Sequence, residues 1–236
     1  MLGVIINVLT VLIGSSLGML FKKGIPERVR DAVMSGLGVC TLCIGLSGAI
    51  ESENVLIMIA SVVIGAIVGT LIGIDRGINK LAEKIEKRFA KKDGVSIAEG
   101  LVSSTLLFCV GSMTLTGSLE AGLTGDSTIL ITKSLLDLFS SIMLASSLGI
   151  GVMLSAVSVL VIQGSLVLAA SFLAPVLSES AVNEMTAVGS LLIIMIGLNL
   201  LKVTKLKVAD YLPAIIIAPC FCALVPVFEY LYTLLF

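Results

Sequence analysis

Residues 1–23 read MLGVIINVLTVLIGSSLGMLFKK. The twenty residues 2–21 carry no charge and are stopped by Lys22 and Lys23. A bilayer core about 30 Å thick is crossed by about 20 predominantly apolar residues in a helix. A cleaved signal peptide carries its positive charges ahead of the apolar run. Here they follow it, so residues 2–21 read as a retained first span.

The same pattern recurs along the chain. Apolar runs fall at 2–21, 32–50, 54–74, 98–118, 127–147, 150–174, 185–201 and 209–234. The 236 residues are 57% hydrophobic and 13% charged, with a mean hydropathy of +1.16. Soluble globular chains are nearer 45–50% apolar and about 25% charged. These features predict an all-α, polytopic membrane protein of about eight transmembrane helices. They argue against a soluble enzyme, a nucleic-acid binder and a disordered tail. The chain has no His, which removes His-dependent acid–base catalysis, His metal ligands and His-containing triads. No phosphate-cradling GxxxxGK[ST] loop is present, so an ATP-driven pump on this chain alone is excluded. No enzymatic activity, cofactor or metal is expected. The five Cys lie in apolar stretches, and Cys40-x-x-Cys43 and Cys220-x-Cys222 read as small packing residues without companion ligands.

The charges set an orientation. With eight spans and the N-terminus outside, the inward loops are 22–31, 75–97, 148–149 and 202–208. Fourteen of the fifteen Lys and Arg residues fall in them. The outward loops carry Glu51, Glu53, Glu120, Asp126 and Glu179 without a basic residue. This is the positive-inside pattern, and it predicts a cytoplasmic-membrane protein with both termini outside. In the long inward loop, Ile78, Leu81, Ile85 and Phe89 recur at helical spacing among the cations of 76–92. That predicts an amphipathic helix lying on anionic lipid, or docking a regulatory partner.

The first three spans resemble the last three. Gly3–Asn7 can be laid on Gly151–Ser155, Asp31 on Asn183, and Ile44–Ser47 on Ile196–Asn199. The topology makes the two units inverted, an arrangement common in secondary transporters. The chain then divides into residues 1–75, a first three-helix repeat, and residues 76–97, a cytoplasmic amphipathic helix and linker. A central helix pair follows at 98–147, and the inverted second repeat at 148–236. The Gly- and hydroxyl-rich stretch Gly111–Gly117 is expected to break the fourth span. Pro213 and Pro219 are expected to interrupt the eighth.

Span five carries the strongest chemical signal. Lys133 is the one basic residue outside the inward loops, and Asp137 lies four residues on, on the same helix face. At 1.5 Å per residue Asp137 is about 15 Å from the outer end of its span, near the midplane. A charge there costs about 2.5–3.5 kcal/mol on insertion scales and needs a partner or a wet cavity. Asp137 could bind a cation or carry a proton, with Lys133 as counter-ion or anion ligand. The pair could also be a structural ion pair that offsets its own burial. Ser140 and Ser141 extend the polar stripe, and Ser112 and Thr114 of span four are further candidate hydroxyls. Glu184 and Asn199 of span seven are candidate polar ligands; a solvated Glu184 and an Asn199 joining helices are the plainer alternatives. Gln163, in span six, has the same ambiguity.

Five segments carry a family resemblance: Gly24–Arg28, Leu106–Met113, Gly117–Asp126, Thr132–Asp137 and Asn183–Gly189. Together they resemble the YdfK/YqgA-like proteins, a bacterial inner-membrane family of unknown function. At the N-terminus the chain departs from the pattern, with Ile5-Ile6-Asn7 where a Gly-Asn type sequence is expected. The resemblance implies no substrate. It implies that the Lys133/Asp137 pair, the Gly-Asp loop before it and the Asn-Glu-Met-Thr segment are family motifs, with a functional centre in spans four, five and seven. The expectation is a secondary transporter of a small solute or ion working by alternating access. A passive channel and a non-transporting scaffold or sensor are the alternatives. The expected partners are the lipid bilayer and the solute, not nucleic acid, and a homodimer is compatible with the abundant glycine-rich faces.

Overall fold

The computed structural model describes the backbone of residues 1–22, 27–89, 96–173 and 177–235. Side chains within these ranges are described except at 21–22, 27, 29–30, 33–34, 37, 81–83, 85–89, 112 and 225–235. The described residues form α-helices and one 3-10 turn, without a strand. The helices are α1 (Leu2–Lys22), α2 (Glu27–Ala49), α3 (Val55–Ile72), α4 (Ile74–Phe89), α5 (Ile97–Cys109) and α6 (Ser112–Leu123). They continue as α7 (Thr128–Leu148), α8 (Ile150–Leu168), α9 (Ala170–Leu173), α10 (Glu179–Leu200) and α11 (Pro213–Leu235). The 3-10 turn is Val208–Tyr211.

Among the described residues α1, α3, α7, α8 and α10 are each long and apolar enough to cross a membrane. The bent pair α5–α6 makes six if it counts as one crossing. The apolar runs 32–50 and 209–234 lie on α2 and α11, but their described apolar stretches, Gly38–Ala49 and Val208–Leu224, are shorter.

The helices are sorted by face. On α1 the buried residues Gly3, Val4, Asn7, Val11, Gly14, Ser15 and Gly18 recur every three or four positions. Leu2, Ile5, Leu9, Ile13, Leu17 and Leu20 form the exposed face. Exposed Leu, Ile, Val and Phe side chains line α3, α7 and α8 in the same way. Large contiguous apolar surfaces of this kind are unsuited to water and suited to hydrocarbon. The interior is built from Val11 of α1, Phe108 of α5, Leu144 of α7, Val152 and Val159 of α8, and Val188 and Leu192 of α10. The main helix pairs are α1 with α7, α2 with α10, α5 with α8, α3 with α11 and α1 with α8.

Local chemistry fixes the helix ends. Asn54 caps α3 by accepting from the amides of Leu56 (3.1 Å) and Ile57 (3.3 Å). Ser178 caps α10 through the amide of Ala181. The fourth span breaks at the start of the expected stretch, where Gly111 has φ +152° and α6 leaves α5 at 59°. Only glycine takes that conformation without strain. The Thr114 hydroxyl then donates to the Phe108 carbonyl, 3.1 Å away, which the break leaves without a helical partner. The expectation at Pro213 is corrected: it does not interrupt a helix but opens α11, where its missing N–H costs nothing. Pro219 sits inside the continuous α11.

The segment after α3 is helical from Ile74, one residue past Gly73. The buried Asp210 of the 3-10 turn accepts from the Asp75 amide at 2.9 Å, so a carboxylate holds the N-terminus of α4. Leu81, Ile85 and Phe89, predicted to form its apolar face, lie outside the described side chains.

Candidate functional site

Lys133 and Asp137 are brought together one turn apart on α7, with Nζ 2.5 Å from Oδ2. Both are buried, at 6% and 5% exposure. The facing helix α1 supplies Asn7, whose amide nitrogen donates to the same Asp137 oxygen at 3.0 Å. The second N–H of Asn7 is directed at Oε1 of Gln163 on α8, 3.1 Å away. Asn7 and Gln163 are completely buried. Four polar side chains from three helices therefore form one directed chain: Lys133 to Asp137, Asn7 to Asp137, Asn7 to Gln163. It ends at the Gln163 amide nitrogen, which has no hydrogen-bond partner among the described residues.

This orientation of Gln163 is dictated by its neighbour. Asn7 presents an N–H, so Gln163 must present oxygen to it, and its NH2 group faces away. Two buried N–H donors without an acceptor are costly, about 1–3 kcal/mol per unsatisfied group.

The hydroxyls around the pair are used locally. Ser134 donates to the Leu130 carbonyl at 2.7 Å, and Ser141 to that of Leu138 at 2.8 Å. Ser141 also lies against Gly14, where α1 approaches α7 too closely to admit a Cβ. Ser140 is half-buried. Thr114 serves the α5–α6 break described above. The Ser112 side chain lies outside the described residues.

Glu184 and Asn199 hold loops. Glu184, 1% exposed, accepts from the Ser52 hydroxyl (3.1 and 3.0 Å) and from the amides of Glu53 (2.8 Å) and Asn54 (2.7 Å). It thereby ties α10 to the connection between α2 and α3. The tie is reciprocal: Glu53 accepts from Ser180 (2.8 Å) and Asn183 (2.9 Å). Those two donors, Asn183 foremost, hold the Glu53 carboxyl below the usual carboxylate range. Asn199, at the other end of α10, accepts from Thr204 and the Leu206 amide and donates to the Leu206 carbonyl. The polar centre is thus formed by α1, α7 and α8, the first, fifth and sixth apolar runs, whereas the resemblance implied the fourth, fifth and seventh.

Sequence reasoning singled out Lys133, Asp137 and Gln163 but missed Asn7 as a site residue. The signal was there: Asn7 occupies a helical stripe otherwise made of glycine, valine and serine. A lone amide on the packed face of a membrane helix marks an interhelical contact.

Comparison with known proteins finds relatives over nearly the whole chain. The profile "Protein of unknown function (DUF554)" matches residues 2–223. The chain is 34% identical to "Uncharacterized membrane protein YdfK" of Bacillus subtilis (strain 168), over 93% of this chain and 94% of that protein. It is 32% identical to "Uncharacterized protein YqgA" of Escherichia coli (strain K12), over 92% and 94% respectively. No solved structure matches the chain.

Proposed function

The chain belongs to the DUF554 family, and from that premise we propose that it is a secondary transporter of a small solute or ion, with the Lys133–Asp137–Asn7–Gln163 cluster as its binding centre. The buried charge carries the proposal. In an otherwise apolar bundle, charged side chains inside membrane segments mark solute and proton pathways more often than they mark stability. Here the cluster around the charges bridges three helices and leaves donors unused among the described residues.

The reading includes eight spans in the cytoplasmic membrane, both termini outside, and two inverted three-helix repeats. Helix pairing supports the repeat. If α1, α2 and α3 exchange with α8, α10 and α11, then α1–α8, α2–α10 and α3–α11 are each a helix packed on its own counterpart, and all three pairs occur. The pairs α1–α7 and α5–α8 exchange with each other, and both occur. The glycine seam follows suit. Gly38 abuts Gly197, and Gly45 abuts Ser190. An offset of 152 residues carries Gly38 to Ser190 and Gly45 to Gly197, turning one contact into the other. At the helix ends Asp31 reaches Lys202 just beyond α10, and its counterpart Asn183 reaches Glu53 just beyond α2. Two such halves can exchange packings around a fixed midplane site, which is the basis of alternating access.

The test is uptake of labelled ions, organic acids and amino acids, together with charge movement, in proteoliposomes of the purified protein. The native protein is expected to show saturable uptake, and Asp137→Asn to lose at least about tenfold of it while remaining folded, an effect confined to the transport step. Equal uptake by both proteins would refute the assignment of Asp137. Flux that never saturates would indicate a channel.

A further inference from the structure

We infer that the cluster takes a small oxygen-bearing monovalent anion, of the carboxylate class, together with one proton. The inference rests on the transport reading and names the substrate class of its site. The argument begins with the unused hydrogen-bonding capacity. Lys133 has three N–H donors and, among the described residues, uses one, on Asp137. Gln163 has two N–H donors and uses neither among the described residues, although it is completely buried. Against these four donors stand Oδ1 of Asp137 and one lone pair each on the Asn7 and Gln163 amide oxygens, and among the described residues none of them is paired with the Gln163 NH2. A guest that satisfies the surplus must itself be rich in acceptors. A metal cation or an ammonium group offers none, and would meet Lys133 and the Gln163 NH2 with like polarity.

Charge conservation then specifies the second ligand. The empty site holds Lys133 as a cation and Asp137 as an anion, net zero. Adding an anion alone would leave a negative charge buried near the midplane, at a cost of several kcal/mol. The balanced step moves one proton as well. A proton from the water on the entrance side forms an O–H bond on Asp137. The Lys133–Asp137 ion pair opens, and Lys133, keeping all three of its protons, pairs with the incoming anion. The Gln163 NH2 donates to the anion's free oxygen. Both the empty and the loaded site are then neutral, so each can reorient in the bilayer and the cycle carries no net charge.

The groups facing Asp137 are compatible with this step. Lys133 is on its own helix; α1 offers Asn7 and α8 offers Gln163, neither titratable. The Cys109 thiol, buried on α5, is a further titratable group on a helix packed against α7. Among the described residues the charged side chains of α2 and α6 make no ion pair with Asp137.

Pyruvate is a suitable probe, because its uncharged form is too scarce at neutral pH to leak through lipid. Proteoliposomes of the full chain would be loaded with a pH-sensitive dye, and labelled pyruvate uptake followed under an imposed pH gradient or potential. The expected result is saturable uptake driven by external acidity, one proton per pyruvate, and indifference to potential. Gln163→Leu and Gln163→Glu are expected to raise the half-saturating concentration at least about tenfold, equivalent to losing about 1.4 kcal/mol of binding. Gln163→Glu retains an acceptor for Asn7, so a loss shared by both variants reports the missing NH2 donors rather than a broken fold. Calorimetric binding of pyruvate in detergent, in buffers of different ionisation enthalpy, reads the proton independently of flux. Potassium or alkylammonium uptake that depends on Asp137, without pyruvate binding, would overturn the anion assignment and leave the transport reading standing. Pyruvate binding with proton uptake but no flux would uphold the site and overturn transport. Absence of binding by pyruvate and formate to the folded protein would overturn the inference.

Discussion

Asp137 and Glu184 are both carboxylates more than nine-tenths buried, and their oxygens are occupied in different ways. Glu184 is saturated by one hydroxyl and two backbone amides of the α2–α3 connection, groups that have no other use once folded. Among the described residues Asp137 is held only by side chains, and both donors crowd one oxygen, Oδ2. Side chains can rotate to new partners, whereas backbone amides in a tight connection cannot. Burial alone therefore does not identify a working acid; the kind of donor and the spare valence do. Glu184 fits a structural clamp, and Asp137 fits a group whose partners change.

The sharpest test of that contrast is Glu184→Leu. It strands the Ser52 hydroxyl and the amides of Glu53 and Asn54 without an acceptor. At about 1–3 kcal/mol for each buried unsatisfied group, partly relieved by water at the loop, the expected loss is about 3–5 kcal/mol. Denaturant unfolding in detergent would measure it. A stable Glu184→Leu protein with abolished uptake would reverse the assignment and place Glu184 in the pathway.

Why one carboxylate was legible and the other ambiguous follows from where their partners sit. Lys133 and Asp137 are four residues apart on one helix, so spacing alone pairs them. The partners of Glu184 are the Ser52 hydroxyl and two backbone amides, 130 to 132 residues away, and backbone donors have no residue-type signature. The same holds for Asn199, whose amide serves the loop that follows its own helix. Asn7 and Gln163 are polar residues in apolar runs, visible as such, but only packing of α1 and α8 on α7 shows that they share one acid. The break after α5 was legible from glycine and hydroxyl content. Its position at Gly111, and the use of Thr114 to close it, depend on a carbonyl that only the bend exposes.

A second variant addresses Asp137 from the stability side. A buried ion pair contributes little net stability, because desolvation cancels most of its attraction. Replacing both members with apolar residues, Lys133→Met with Asp137→Leu, removes attraction and desolvation together. What remains is the lost acceptor of Asn7, so the expected cost is about 1 kcal/mol, with uptake abolished. A loss as large as that of Glu184→Leu would mean that the pair is also structural, and the contrast between the two carboxylates would shrink.

The smallest expected effect concerns the exposed half of the clamp. Glu53 accepts from Asn183 and Ser180, and these donors lower its carboxyl below the usual range. A depressed folded-state value means that the unfolded chain takes up the proton first as pH falls. The contribution is therefore complete at neutral pH and is lost as pH drops through about 4 and then through the lower folded value. Glu53 is solvent-exposed, so screening keeps the effect slight. Unfolding midpoints between pH 6 and pH 3 should fall slightly more steeply for the native protein than for Glu53→Gln. Parallel profiles would show that the Asn183 and Ser180 contacts exert no measurable hold. The tie between α10 and the α2–α3 connection would then rest on Glu184 alone, which would strengthen the distinction between a carboxylate fixed by backbone and one free to change partners.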